Sequence, residues 1–271
     1  GRLGICNTNP ASKLDVTDDW ALSQNGTKIL TSCGTVTIFG LNAGLNAQGG
    51  AGNTFIGDRA GRDNVTGTIN TYVGSQAGMV TTASGNTYIG EEAGGAATLG
   101  SNSVGVGYAA CNNNEAASNL CFGYNAGLSA AGLTGGQNTF IGNNSGKGTT
   151  SGVRNLYLGD SVGEAQTTQS DNTVIGVLAM AVGTGTTNVY IGSQAGYNND
   201  GNGNVLLGYL VGNTNNYWSN VLAIDNSDTT TPLIYGDFSA NTLRFNGSAQ
   251  FGTATAGIST FSAVGNLNLA Y

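Results

Sequence analysis

Asn53-Thr54-Phe55-Ile56-Gly57-Asp58-Arg59-Ala60-Gly61 is a nine-residue phrase that returns, in close variants, through most of this 271-residue chain. It recurs at 70–78, 86–94 and 188–196, and its first five residues recur at 138–142. The copies align on eleven central glycines, spaced by 16, 17 or once 19 residues: Gly40, Gly57, Gly74, Gly90, Gly107, Gly123, Gly142, Gly159, Gly176, Gly192 and Gly208. A fixed period of this length predicts a stack of similar small units rather than one globular core.

The composition is that of a folded chain built from many short strands and turns. Glycine contributes 46 residues and proline only 2. Hydrophobic residues make up 39% of the chain and charged residues only 8%. Disordered chains combine low hydrophobicity with high charge, so this chain is expected to be ordered.

Charge and hydropathy argue against two classes of partner. The net charge is −7, and the chain has only 8 lysines and arginines. Nucleic-acid binding depends on such residues to neutralise phosphates, so no nucleic acid is expected as a partner. No apolar stretch approaches the roughly 20 residues of a membrane-spanning helix, so no membrane insertion is expected either.

The first half of the phrase reads as a short strand that ends at the central glycine. The residue before that glycine is apolar in every copy, and the residue two positions earlier is Thr, Val or Leu. Side chains alternate along a strand, so these two positions share a face, which we interpret as the core face. A small residue such as Ala60 follows three positions after the glycine and predicts a second short strand packed opposite. The predicted fold is therefore all-β, a parallel β-solenoid of about eleven coils of 16–17 residues.

The phrase begins with asparagine in nine coils. Amides stacked about 4.8 Å apart can hydrogen-bond along the column and to backbone groups of the turns. We interpret this ladder as structural, because a catalytic or recognition residue is not normally needed in nine copies. Its members are Asn53, Asn70, Asn86, Asn119, Asn138, Asn155, Asn172, Asn188 and Asn204.

The middle position of the strand is aromatic in six coils: Phe55, Tyr72, Tyr88, Phe140, Tyr157 and Tyr190. By alternation this position is predicted to point away from the core, which would leave an apolar stripe along the solenoid. Such a stripe requires a cover, and we expect the same stripe on sister chains, in a homo-oligomer. The alternative is an aromatic platform for sugars.

The two ends leave the repeat and divide the chain into a connector at 1–34, a shaft at 35–212 and an end module at 213–271. Residues 220–228 and 232–238 predict two strands around a polar turn. Just beyond the last coil lie Tyr217, Trp218, Tyr235 and Phe238. These aromatic residues either bind the sugar rings of a receptor or seal the open end of the solenoid.

The repeated Asn-Thr-Tyr-Ile-Gly-x-x-Ala-Gly phrase resembles the repeats of phage tail fibres and, more distantly, those of trimeric autotransporter adhesin heads. The resemblance covers about 35–212. It is weaker at 103–107, where glycine replaces the aromatic residue, and at 177–180, where the second glycine is missing. It implies a left-handed, trimeric solenoid but does not identify a receptor.

The ends also carry a resemblance to such fibres. Residues 4–16 resemble the connector phrase found ahead of these repeats, although Cys6 stands where that phrase has glycine. Many tail fibres with these repeats end in an intramolecular chaperone that trimerises the chain and then cuts itself off. The resemblance implies that Tyr271 is a terminus made by self-cleavage.

No catalytic constellation is visible. The chain contains no histidine. Its adjacent carboxylates, at 18–19 and 91–92, would point to opposite faces on a strand and so would not converge. Residues 200–204 resemble a calcium loop but lack its closing bidentate glutamate, and a turn between coils is the simpler interpretation. We therefore expect no catalytic residue, no metal and no cofactor.

The four cysteines show no metal-ligand spacing. We interpret them as small buried residues and leave open whether any pair forms a disulfide. They are Cys6, Cys33, Cys111 and Cys121.

The repeat and its resemblance predict a structural fibre module for attachment, part of a phage tail fibre that presents a tip to a bacterial surface receptor. The expected partners are sister chains in a homotrimer, a bacterial surface glycan or protein, and other fibre or baseplate proteins. The expected location is the extracellular virion tail. A bacterial cell-surface adhesin or extracellular filament subunit is the alternative, and a polysaccharide-degrading β-helix enzyme is a third possibility.

Overall fold

The computed structural model describes residues 20–24, 27–33, 36–48, 50–214 and 217–247. These residues form sixteen strands joined by turns, with no helix among them, and all sixteen strands belong to one sheet. The predicted fold class is confirmed: the chain is all-β and forms a parallel solenoid of about eleven coils. The connector phrase at 4–16, the carboxylates at 18–19 and the terminus at Tyr271 lie outside the described residues.

Most coils contribute a single strand of three residues. The strands are β1 Trp20–Gln24, β2 Thr27–Cys33, β3 Val36–Phe39, β4 Thr54–Ile56, β5 Thr71–Val73, β6 Thr87–Ile89, β7 Val104–Val106, β8 Leu120–Phe122, β9 Thr139–Ile141, β10 Leu156–Leu158, β11 Thr173–Ile175, β12 Val189–Ile191, β13 Val205–Leu207, β14 Val221–Ile224, β15 Ile234–Asp237 and β16 Thr242–Phe245.

Strands β3 to β14 pair in parallel, each with the next, and equivalent residues stand opposite one another. Phe55, for example, lies opposite Tyr72, which lies opposite Tyr88. The sheet becomes antiparallel at both ends, in β1–β2–β3 and in β14–β15–β16. The two strands predicted between 220 and 238 are confirmed as β14 and β15. Strand β14 also extends the parallel stack one strand past the predicted boundary at 212.

The prediction of a second short strand in each coil is wrong, because turns take its place in the described residues. Arg59 and Gly61 both have a φ of 56°, in the left-handed region, so the chain curls here instead of extending. Neighbouring turns are nevertheless joined by backbone hydrogen bonds, such as the 2.9 Å bond from the N–H of Gly61 to the carbonyl of Ala77. Each coil therefore has a sheet on one side and stacked turns around the rest.

The central glycines let neighbouring coils touch at the corner after each strand. Gly57 has a φ of +135°, and a Cβ there would lie 2.4 Å from the carbonyl oxygen of Gly74 in the next coil. Both the backbone conformation and the close approach exclude a side chain. The same contact recurs at the other central glycines. This contact accounts for the strict presence of glycine at this position.

The predicted orientation of the strands is wrong, and so is the predicted aromatic oligomer interface. Phe55 is fully buried within the single chain, whereas Ile56 is 37% exposed and Thr54 is partly buried. Alternation separates the two faces of a strand, but it does not say which face is enclosed. The six aromatic residues assigned to the interface are all fully buried in the chain's own core: Phe55, Tyr72, Tyr88, Phe140, Tyr157 and Tyr190.

The glycine at the end of the phrase determines which face is enclosed. A Cβ on Gly78 would lie 2.5 Å from the Tyr72 ring, so this glycine packs directly against the ring. The rings also stack between coils, with centroids 5.3 Å apart for Phe55 and Tyr72 and 5.5 Å apart for Tyr72 and Tyr88. We call the row of middle strand positions the core column. It consists of Ile38, Phe55, Tyr72, Tyr88, Gly105, Cys121, Phe140, Tyr157, Val174, Tyr190, Leu206 and Ala223.

A disulfide bond fills the gap where the core column lacks aromatic rings. It joins Cys111 to Cys121, whose Cα atoms are 5.6 Å apart and whose side chains are fully buried. Cys121 is in the core column, and Cys111 occupies the position that holds the second glycine in other coils. A Cβ on Gly105 would lie 2.8 Å from the carbonyl oxygen of Ala110, 2.9 Å from the Tyr88 ring and 3.3 Å from the Cβ of Cys111, so this position has no room for a side chain. The disulfide thus accounts for the two cysteines that replace a glycine and an aromatic residue of the repeat.

Candidate interaction surfaces

The predicted asparagine ladder is confirmed as a buried column of hydrogen bonds. The side-chain oxygen of Asn53 accepts a 2.9 Å bond from the backbone N–H of Asn70, and Asn70 accepts an equal bond from Asn86. The side-chain NH₂ of Asn53 donates to the carbonyl of Gly67 at 2.8 Å. Each amide therefore joins two coils, and most of the amides also hold a turn through their NH₂ groups. Because all nine asparagines are buried, the ladder offers no surface to a ligand.

The ladder continues through the one coil that has serine in place of asparagine. The hydroxyl of Ser103 accepts a 3.2 Å bond from the backbone N–H of Asn119, as the amide oxygen does elsewhere. Asn114 supplies the missing amide: it donates to the Ser103 hydroxyl at 2.9 Å and accepts from the side chain of Asn119 at 2.9 Å. Ser103 and Asn114 together thus replace one ladder asparagine.

The buried tyrosines are closed off from solvent and held neutral. The Tyr190 hydroxyl donates a 3.0 Å hydrogen bond to Asn199. Burial raises the pKa of Tyr88 to about 12 and also raises the pKa values of Tyr72, Tyr157 and Tyr190. These rings therefore cannot serve as the sugar platform that was the alternative to an oligomer interface.

The surface on the other side of the sheet is apolar and uncharged. We call it the outward face. Its first row consists of Thr37, Thr54, Thr71, Thr87, Val104, Leu120, Thr139, Leu156, Thr173, Val189 and Val205. Its second row consists of Phe39, Ile56, Val73, Ile89, Val106, Phe122, Ile141, Leu158, Ile175, Ile191 and Leu207. Exposure reaches 53% at Phe39 and Phe122, and it is 40% at Ile89 and 41% at Ile191.

Two exposed tyrosines lie beside the outward face, directly after the central glycines of their coils. Tyr108 and Tyr124 stack with ring centroids 5.1 Å apart and are 40% and 53% exposed. The carboxylates of Glu92 and Glu91 raise the pKa of Tyr108 by disfavouring a nearby phenolate. Sequence reasoning missed this pair, because the position after the central glycine is otherwise variable.

The structure divides the four aromatic residues predicted as receptor contacts into two pairs. Trp218 and Tyr235 are partly buried, pack against the end of the core, and contact each other edge to face at 6.1 Å. They cover the last coil, as the sealing interpretation requires. Tyr217 and Phe238 are 87% and 49% exposed. Only these two are available to a receptor in the single chain.

The described surface has shallow grooves. A groove of about 430 Å³ lies where the one 19-residue coil departs from its neighbours, and Leu128, Lys147 and Glu164 are among its lining residues. Lys147 and Glu164 form an ion pair across it at 3.7 Å. A second groove, of about 510 Å³, lies between β13 and β14 and includes Leu207 and Asp225. Neither groove brings together an acid and a base with a nucleophile.

The described carboxylates considered as candidate catalytic or metal-binding groups lie in turns of the solenoid. Glu91 and Glu92 lie in a turn, not on a strand as the sequence analysis assumed. Asp200, the first residue of the calcium-like segment, accepts two 2.9 Å hydrogen bonds from Thr184 in the preceding coil. This supports the interpretation of 200–204 as a turn between coils. In the part of the chain that the structure describes, no three His, Cys, Asp or Glu side chains are grouped to hold a metal ion.

No known protein family, curated protein or solved structure matches this chain. Within the described ranges there is also no apolar helix of the length that crossing a bilayer requires. Function is therefore inferred from the geometry of the solenoid and its surfaces.

Proposed function

We propose that this protein is a structural attachment module: the shaft of a homotrimeric fibre, of the phage tail-fibre type, that presents a tip to a bacterial surface receptor. The observation that carries the proposal is the unbroken stack of parallel strands from β3 to β14. Twelve strands in register, with a filled interior, make a rod.

Three sets of bonds stiffen the rod. The strands pair along one side, the turns are joined by backbone hydrogen bonds, and the asparagine ladder lies between them. Eleven coils at about 4.8 Å each give a shaft of roughly 50 Å. Each coil contacts only its neighbours, so adding coils lengthens the rod without changing its construction. A module of this kind is suited to spanning distance.

The arrangement of charged residues favours a structural role over a polysaccharide-degrading enzyme. Glycoside hydrolysis requires two carboxylates that face one bond. The described carboxylates instead include pairs with neighbouring cations, as in the bond between Arg154 and Asp171, 2.6 Å long. That guanidinium also lowers the pKa of the Asp171 carboxyl.

The proposed partners follow from the fibre role and from the resemblance of the repeat to phage tail fibres. They are two sister chains, a bacterial surface glycan or protein at the tip, and other fibre or baseplate proteins at the opposite end. The proposed location is the virion tail. Tyr217 and Phe238 are the receptor contacts that we propose at the described end, because they alone of the four aromatic residues are well exposed.

A cosedimentation assay with a panel of bacterial strains tests the receptor role. The purified chain is expected to sediment with its host strain and to reduce phage adsorption to those cells. Replacing Tyr217→Ala and Phe238→Ala together should weaken this binding at least tenfold. Leu99→Ala is the matched control, because Leu99 is 69% exposed in a turn within the shaft. Equal binding by all variants would refute the assignment of the two aromatic residues.

Two further outcomes separate the competing functions. Antibodies against the chain should label virion tails in electron micrographs, whereas labelling of the bacterial envelope alone would favour a cell-surface adhesin. Incubation with surface polysaccharide should release no oligosaccharides. Their release by the purified chain would replace the structural proposal with an enzymatic one.

A further inference from the structure

Among the described residues of the single chain, the outward face is an apolar surface without a partner. Its 22 positions carry only Thr, Val, Leu, Ile and Phe, and none is charged. Depletion of charge is a feature of the centre of protein interfaces. Monomeric proteins seldom leave apolar patches larger than a few hundred Å² uncovered. The outward face is therefore expected to be covered in the assembled protein.

The face is regular along its whole length. From β3 to β13 each strand pairs with the next at three successive residues, so both rows run straight along the solenoid. Eleven three-residue strands about 4.8 Å apart give a flat strip of roughly 50 by 10 Å, or about 500 Å². Stable complexes bury about 800 Å² per partner. The exposed Tyr108, Tyr124, Val177 and Tyr209 lie beside the strip and widen it at their own coils, whereas the same position is acidic in three other coils, at Asp58, Glu91 and Asp160.

The spacing of the rows identifies the occupant. A partner with irregular structure can match a surface repeating every 4.8 Å or so at only a few coils. Another copy of this chain has the same spacing and therefore matches at every coil. The two rows themselves bring no charge to the contact, and the acidic residues Asp58, Glu91 and Asp160 lie at its edge.

We propose that copies of this chain pack against one another through their outward faces, with the solenoid axes side by side. This inference rests on the homo-oligomer of the proposed function and identifies its interface. The interface is assigned to the outward face, which is exposed in the folded chain, instead of to the six aromatic residues, which are buried. The threonines of the first row supply small, hydrogen-bonding contacts, and the second row supplies the apolar side chains that interdigitate.

Light scattering of the full chain tests the proposal. The wild type should have a molar mass that is a multiple of 27.2 kDa. The double variant Ile89→Glu, Ile191→Glu places charges on the outward face and should reduce that mass to a single chain. The matched control is Val65→Glu, Leu99→Glu, which places the same charges on exposed turn residues away from the strands. The control should keep the wild-type mass, and circular dichroism should show that both variants are folded.

Disulfide cross-linking provides a second test that does not depend on weakening the oligomer. Phe122 lies near the middle of the stack, so a cysteine there would meet its equivalent whether the neighbouring chains run parallel or antiparallel. In a Cys6→Ser, Cys33→Ser background, Phe122→Cys should give covalent dimers on mild oxidation, and Leu99→Cys should not.

The outcomes separate failure of this inference from failure of the proposed function. An oligomer that survives the charged face variants and gives no Phe122→Cys cross-link has its interface elsewhere, which overturns the inference alone. A wild type of 27.2 kDa at all concentrations overturns both the inference and the trimer. The receptor role would still be decided by the cosedimentation assay.

Discussion

At the scale of single residues, the solenoid depends on matching the sizes of two positions in each coil. One is the core-column residue, and the other is the position four residues after the central glycine. Tyr72 packs against Gly78, and the equivalent positions of a later coil hold the smaller Val174 and the larger Met180, both fully buried. The missing second glycine at 177–180 is thus explained by size: a smaller side chain in the core column is accompanied by a larger one at the glycine position.

We predict that the tyrosine–glycine pair can be restored in the coil of Val174. Val174→Tyr alone should destabilise the protein by about 1–3 kcal/mol, because the ring would overlap Met180. Met180→Gly alone should also destabilise it, by leaving a cavity. The double variant should recover most of both losses in urea unfolding. Strictly additive effects would show that the two positions do not compensate each other.

At the scale of the repeated element, the coils are coupled by side chains as well as by the sheet. Asn138 accepts from the backbone N–H of Asn155 at 2.9 Å and donates to the carbonyls of Gly135 and Gly152. These backbone groups belong to the turns and to the starts of the strands. The pairing of three-residue strands does not give them hydrogen-bond partners. The ladder therefore supplies the bonds that the short strands lack.

Asn138→Ala should destabilise the protein by on the order of 2–3 kcal/mol, because it leaves buried backbone groups without partners. Chemical unfolding would measure the loss. Asn143→Ala is the control: this asparagine is exposed, so its replacement should change stability by less than about 0.5 kcal/mol. Similar small effects at both positions would mean that water or neighbouring groups replace the ladder bonds.

The Cys111–Cys121 disulfide should resist reduction in the folded protein, because both cysteines are fully buried. Reductant followed by alkylation should leave this pair unmodified in native buffer and modify both cysteines in denaturant, as measured by peptide mass. Replacing both cysteines with alanine should cost about 3 kcal/mol of stability. Rapid alkylation of the pair under native conditions would show that these coils open locally.

At the scale of the whole molecule, the core is a buried column running along a rod, and half of the positions in the core column are aromatic. Its burial makes stability sensitive to alkaline pH. A tyrosine in the unfolded chain ionises near pH 10.0, whereas burial raises the pKa of Tyr88 to about 12 in the folded state. As the pH rises, Tyr88 therefore loses its proton in the unfolded chain before it does so in the folded chain. The contribution of Tyr88 to stability is full below pH 10 and is lost as pH rises towards 12.

We therefore predict cooperative alkaline unfolding between about pH 10 and 12. Circular dichroism should be lost together with the appearance of phenolate absorbance from the buried tyrosines. Tyr88→Phe should move the midpoint to higher pH, because it removes one proton release. Tyr217→Phe should not, because Tyr217 is 87% exposed. Ionisation of the buried tyrosines without loss of dichroism would contradict their enclosure.

The sequence by itself determined the number of coils, the position of the one strand in each coil, the central glycines and the asparagine ladder. These features depend on local spacing, which a repeat displays directly. Only the tertiary structure decided which strand face is enclosed, because period-two alternation is the same for either orientation. The decision rests on a contact across the coil, where Gly78 packs against the Tyr72 ring. Because of that contact, the aromatic residues predicted as an interface are buried in the core, and the row that contains Ile89 and Ile191 is exposed. The disulfide was likewise decided by the fold, because only coil stacking brings Cys111 beside Cys121.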